Sequence, residues 1–200
     1  VKIAKLISFI THPWLMPLLG IFLLFQTGSW ISLLPPEAKK YVYLVTITCT
    51  IILPLLTAIL LKNRGLLSSI FKPRGKERRI PLMMVSFFTL LAAFILQKVS
   101  APMIFSLFLN GLSITILIAA LISGFWKIST HMLGLGAIFG LILAVSLKWM
   151  IDLRLVLSIV SILIGVSATA RLRLQEHNPA QICCGLLLGF LPLFILIRFV

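Results

Sequence analysis

The chain has 200 residues, of which 60% are hydrophobic and 11% charged, with a mean hydropathy of +1.18. A soluble domain carries roughly 45–50% apolar and about 25% charged residues, so a soluble enzyme, a secreted disulfide scaffold and a disordered chain are excluded. A net charge of +14, from 18 Lys and Arg against four acids (Glu37, Glu77, Asp152, Glu176), leaves too few carboxylates for a glycosidase or a rich cation site.

Seven runs lack Lys, Arg, Asp and Glu: residues 13–36, 41–61, 80–97, 99–126, 128–147, 155–170 and 178–197. A bilayer span needs about 20 apolar residues, so each is a candidate crossing. The first run follows Lys2 and Lys5 and reads as a retained span, not a cleaved signal. His12, just before it and outside the clusters, reads as interfacial, with reach to the clustered residues as the alternative. The third and fourth runs are parted only by Lys98 and by Ser100, Ala101 and Pro102, which predicts a tight hairpin. Gly134, Gly136 and Gly140 in the fifth run are spaced for close helix approach. The sixth run is short and must borrow flanking residues. Cys49, Cys183 and Cys184 show no metal-ligand spacing and read as small buried residues. Trp14, Trp30, Trp126 and Trp149 fall near run ends, as an aromatic belt would. No run alternates like a barrel strand, and backbone groups in lipid must bond within their own segment. The expected fold class is therefore an all-α integral membrane protein, a transmembrane bundle of six to seven helices forming one domain over residues 1–200.

With seven spans, the N-terminus, residues 62–79, Lys127 and residues 171–177 share one face. That face carries twelve of the eighteen basic residues. The positive-inside rule then puts it in the cytoplasm, in a bacterial inner membrane. The basic excess suits lipid headgroups and not nucleic acid, because it sits in short loops beside spans.

Three clusters on this face carry chemistry. Lys72 and Arg79 are separated by six residues and Pro81 follows. Ser129, Thr130 and His131 open the fifth run, and Arg171, Glu176, His177 and Gln181 precede or open the seventh. Two of the three histidines lie in these clusters. Arg and Lys neutralise and position phosphate oxygens. One histidine can attack phosphorus, and another can protonate the leaving oxygen. Phosphoryl transfer needs little beyond positioning and charge stabilisation, so no metal or other cofactor is called for when enough fixed cations surround the group. Asn178 and Pro179 read as an N-cap and first helical residue. His177 then lies just ahead of a helix N-terminus, where phosphate is favoured, and Gln181 lies in the first turn. Taken singly, each cluster has a plainer explanation: a basic loop on anionic lipid, a packing histidine, or arginines snorkelling at the membrane edge.

Together the clusters resemble the three signature motifs of the type-2 phosphatidic acid phosphatase superfamily, over about residues 41–200. Those motifs are lysine, six residues, arginine-proline; then proline-serine-glycine-histidine; then serine-arginine, five residues, histidine, three residues, aspartate. The resemblance implies a bundle of that type and metal-independent hydrolysis of a lipid phosphate or pyrophosphate. Phosphatidate, phosphatidylglycerol phosphate, undecaprenyl pyrophosphate and another isoprenoid phosphate are candidate substrates. It implies that Lys72, Arg79 and Arg171 hold phosphate oxygens, helped by Ser129 with Thr130 beside it. His177 would form the phosphohistidine and His131 would be the general acid. The chain departs from the pattern at Ile80, Ile128, Thr130 and Ala170, and above all at Gln181, which stands where the family has aspartate. An amide oxygen four residues on can accept a bond from His177 but supplies no negative charge. Glu176, at i−1, is the one nearby acid and points elsewhere. Two further readings stay open: a relative that binds lipid phosphate or assembles with membrane partners or as an oligomer without turnover, and a small transporter. No inverted repeat supports the transporter.

Overall fold

The computed structural model describes residues 6–8, 11–70 and 75–200, without the side chains of residues 75 and 76. Among the described residues there are helices and no strand. In chain order the α-helices are α1 (Met16–Phe25), α2 (Pro36–Ile47), α3 (Leu53–Asn63), α4 (Arg79–Lys98), α5 (Met103–Ile122), α6 (Thr130–Trp149), α7 (Arg154–Arg173) and α8 (Pro179–Phe199). Short 3-10 turns cover Pro13–Leu15, Trp30–Leu33 and Gly75–Arg78. A π turn, Thr48–Ile52, joins α2 to α3 just before Pro54, whose missing N–H breaks the regular ladder.

Among the described residues, seven helical stretches are long and apolar enough to cross a membrane, consistent with an integral membrane protein: Leu6–Phe25, Pro36–Asn63, and α4 to α8 singly. Each single helix has 20 or 21 residues. At 1.5 Å per residue that is about 30 Å, the thickness of the hydrocarbon core. The short sixth run becomes a full span by taking in Arg154 and Arg171 to Arg173 at its ends. The first span differs from expectation. It takes in Leu6 and ends at Phe25, because Gly28 at φ 69° and the Trp30–Leu33 turn break the apolar run.

The chain forms two compact units. The first comprises Val1–Pro36 and Ile128–Val200, and the second Glu37–Lys127. In the first unit α6 is the central helix, packed against α1, α7 and α8. Its contact with α8 is made by backbone. A Cβ on Gly140 would come within 2.5 Å of the Phe190 carbonyl oxygen, and one on Gly185 within 2.6 Å of that of Ser129. Gly136 meets Leu186 and Gly189 meets Leu133 in the same way, while Gly134 packs on Met16 of α1. These pairings advance together along both helices, so α6 and α8 run parallel. Their N-termini therefore lie side by side, with the Ser129 N–H donating to the Gln181 carbonyl (3.3 Å). Ile182, Gly185 and Gly189 take the inward face of α8, which turns Cys183 and Cys184 outward. That corrects the expectation that they are buried; Cys49 is buried.

In the second unit α4 and α5 form the expected hairpin. Ser86 Oγ donates to the Ser113 carbonyl and Ser113 Oγ to that of Ser86, both at 2.8 Å. The turn between them ends α4 through Ser100 at φ 56°, with the Ala101 N–H returning to Leu96 O.

Candidate functional site

The site is built at the shared N-terminal end of α6 and α8, where α7 delivers its last turn. Two parallel helices present their positive ends together, and Arg171 adds a full charge. α7 stops because Gln175 takes the left-handed conformation (φ 52°). The Glu176 N–H then closes back on Arg171 O (3.2 Å) and the Gln175 N–H on Leu172 O (2.9 Å). This Schellman turn carries the chain from Arg171 to His177 within a few residues.

α8 then starts with a full capping box. Asn178 Oδ1 accepts from the Gln181 N–H (2.9 Å), and Gln181 Oε1 accepts from the Asn178 N–H (3.3 Å). A backbone N–H only donates, so this bond fixes which end of the Gln181 amide is oxygen. The same Oε1 lies 3.1 Å from His177 Nδ1. His177 Nδ1 must therefore carry the proton, and the neutral ring holds its lone pair on Nε2. That tautomer is the one a nucleophilic imidazole needs.

His131, in the first turn of α6, is 9% exposed and His177 8%. His131 Nε2 lies 3.1 Å from the Ser8 carbonyl, which fixes the proton on Nε2. Arg171 is also 8% exposed. Its Nη1 donates to Ser8 Oγ at 2.5 Å, and its Nη2 lies 3.8 Å from Glu176 Oε2. Glu176 thus turns towards the arginine. Ser129, the N-cap of α6, makes no capping bond, and its Oγ is wholly buried with no hydrogen-bond partner among the described residues. An unpaired buried hydroxyl costs about 1–3 kcal/mol, so this one marks a place where a ligand oxygen would be stabilising.

Of the residues singled out in the sequence, the first unit gathers Ser129, His131, Arg171, His177 and Gln181, with Thr130 half-buried beside them. Arg79 belongs to the second unit. There its Nη2 donates to Leu121 O (3.3 Å) and its guanidinium stands over the Phe125 ring (5.2 Å), across the end of α5. Lys72 lies outside the described residues.

In the N-terminal segment, Ser8 and Thr11 are the residues that sequence reasoning passed over. His12 takes the alternative of its two readings: its ring stands edge-on to His131 with centroids 5.8 Å apart, and its Nδ1 caps the Pro13–Leu15 turn by accepting from the Trp14 N–H (3.4 Å). Thr11 Oγ1 donates to Ile7 O (2.9 Å) and lies 3.4 Å from Ser167 Oγ of α7. The one usable signal was that His12 is among only three histidines in the chain. Ser8 and Thr11 carried none. Among the described residues no group of three His, Cys, Asp or Glu side chains is arranged to hold a metal ion. Comparison of the chain with protein-family models, with curated proteins and with solved structures finds no match.

Proposed function

We propose that this chain is a membrane-embedded, metal-independent lipid phosphate hydrolase with a bundle of the type-2 phosphatidic acid phosphatase kind. The observation that carries the reading is the bond between His177 Nδ1 and Gln181 Oε1, which leaves the Nε2 lone pair as the nucleophile. His177 Nε2 attacks phosphorus and the ester oxygen leaves, taking a proton from His131. Water then attacks the phosphohistidine, His131 accepts its proton, and phosphate departs. Arg171, the buried Ser129 hydroxyl and the paired helix ends stabilise charge on the transferring group. All these residues belong to the first unit. A site at the ends of spans suits an amphiphile whose tail stays in lipid. On the charge count, these ends face the cytoplasm of a bacterial inner membrane. Labelling of a single cysteine at position 66 by an impermeant reagent on intact cells would overturn that orientation.

A second reading is favoured by the neutrality of Gln181, which is already engaged in the capping box. The cradle would then bind lipid phosphate without turnover. Gln181→Glu separates the two. Glu has the length of Gln, so its oxygen takes the Oε1 position and keeps the capping box while adding the missing charge. Phosphate release by detergent-purified protein, without divalent metal, is measured for wild type, His177→Ala and Gln181→Glu over a panel of lipid phosphates. For a hydrolase, wild type releases phosphate, His177→Ala loses it, and Gln181→Glu gains about tenfold or more; replacing an orienting carboxylate by an amide elsewhere costs about 10⁴. For a binder, release starts only with Gln181→Glu. No release from either, and no lipid phosphate binding, overturns both.

A further inference from the structure

We infer that Ser8 is a positioning residue of the phosphate site, and that the N-terminal segment is thereby one of the site's walls and not only a membrane anchor. This rests on the proposed function of the same site. Ser8 lies 163 residues from Arg171 and 123 from His131, yet it binds both. Its hydroxyl accepts from Arg171 Nη1 at 2.5 Å, and its carbonyl accepts from His131 Nε2 at 3.1 Å. The same hydroxyl is 3.5 Å from that Nε2, so one residue sits between the phosphate-binding cation and the acid.

Each bond has a chemical consequence. The carbonyl fixes the His131 tautomer and holds the ring, leaving Nδ1 as the atom that takes up and gives the proton. The hydroxyl and Glu176 hold Nη1 and Nη2 of Arg171, so a long side chain with many rotamers is kept in one orientation in the ligand-free site. The segment is itself anchored. Thr11 bonds back to Ile7 and approaches Ser167 of α7, and His12 caps its own turn and stands against His131. Ser8 thus acts through Arg171 and His131, and touches no reacting atom itself.

The test uses the full chain in detergent, with a short-chain phosphatidate as probe. Binding is followed by calorimetry and turnover by phosphate release. In Ser8→Ala, phosphatidate affinity falls about tenfold and KM rises to match, while kcat changes less than threefold, because Arg171 holds phosphate oxygens in ground and transition states alike. Ser8→Thr keeps the hydroxyl and restores affinity. Ser8→Ala lowers the melting temperature by about a few degrees, because the buried Arg171 loses an acceptor, and Ser8→Thr restores it. Unchanged phosphatidate affinity in Ser8→Ala overturns the inference, as does equal loss in Ser8→Thr. A second variant asks whether the segment stays in place during turnover. Thr11→Cys with Ser167→Cys, in a background lacking the three native cysteines, joins the segment to α7 on oxidation. Oxidised protein is expected to be at least as active as reduced protein. Inhibition on oxidation that dithiothreitol reverses would make the segment an obstructing plug and overturn the positioning role. Wild type that binds no phosphatidate and releases no phosphate overturns the proposed function and this inference together. Wild type that binds without release leaves the affinity comparison to decide.

Discussion

The two units bring their helices together by different means. In the first, α6 and α8 meet glycine to backbone, at Gly136, Gly140, Gly185 and Gly189. In the second, α4 and α5 meet through the Ser86 and Ser113 hydroxyls, each bonded to the other helix's carbonyl. A glycine contact has no rotamer, so it fixes helix position as tightly as the backbone itself. A serine pair leaves a side-chain torsion to absorb error. The tighter device lies in the unit that carries His131 and His177, and the looser one in a hairpin that carries neither histidine.

The strongest challenge to this comparison is Gly189→Ala. Its Cβ would overlap the Leu133 carbonyl and stand 2.8 Å from Ala137 N, where backbone cannot yield. Overpacking of this kind costs about 1–3 kcal/mol, seen as a lower melting temperature in detergent and as loss of phosphatidate binding. Gly165→Ala in α7 is the control, since nothing lies within 4 Å of its Cβ. It should be neutral or stabilise by up to about 1 kcal/mol.

Next in size is Asn178→Ala. It removes the cap of α8 at a cost of about 1 kcal/mol and frees Gln181 to rotate away from His177. Phosphate release should fall more than stability, and Asn178→Asp should restore both. Release that persists in Asn178→Ala would separate the capping box from the tautomer of His177.

Ser86→Ala sharpens the other side. Interhelical hydrogen bonds in membranes average about 0.6 kcal/mol, and one Ser113 hydroxyl bond survives the change. A small drop in melting temperature with unchanged phosphate release is expected. A drop as large as that of Gly189→Ala would erase the distinction between the units.

The smallest effect is expected at Asp152, exposed between α6 and α7, with Oδ2 2.6 Å from Arg154 Nη2. Hydrogen bonds from Arg154 pull its carboxyl down to about 2. A lowered value means any stabilisation is present above the ordinary carboxylate range and is lost as pH falls through about 2. Exposed pairs contribute little, so Asp152→Asn should leave the melting temperature at pH 7 unchanged.

Much of the candidate site was legible because its residues announce themselves chemically. A histidine, an arginine and a proline-marked helix start at residues 171–181 can be read without coordinates, as can the possibility of a bond from Gln181 to His177. Among the residues at positive φ, Gly65 is of the type that suits the αL end of a helix. Ser100, Met150 and Gln175 take the same conformation with side chains that give no sign of it, and Gln175 is the one that aims His177. Gly185 and Gly189 were not singled out although they face α6, because a glycine in an apolar run has no partner until the neighbouring helix is known.

The sequence by itself determined the solvent and the elements: charge-free runs about 20 residues long must become helices in a bilayer, since no other local structure satisfies the backbone there. It also determined which groups could do chemistry, because only three histidines and a few basic clusters were on offer. Tertiary structure alone decided who meets whom. That α6 and α8 touch glycine to backbone, and that Ser8 reaches Arg171 and His131 across more than a hundred residues, are long-range facts. Local propensity is blind to them, since contacts between distant segments depend on how faces pack and not on the order of residues along the chain.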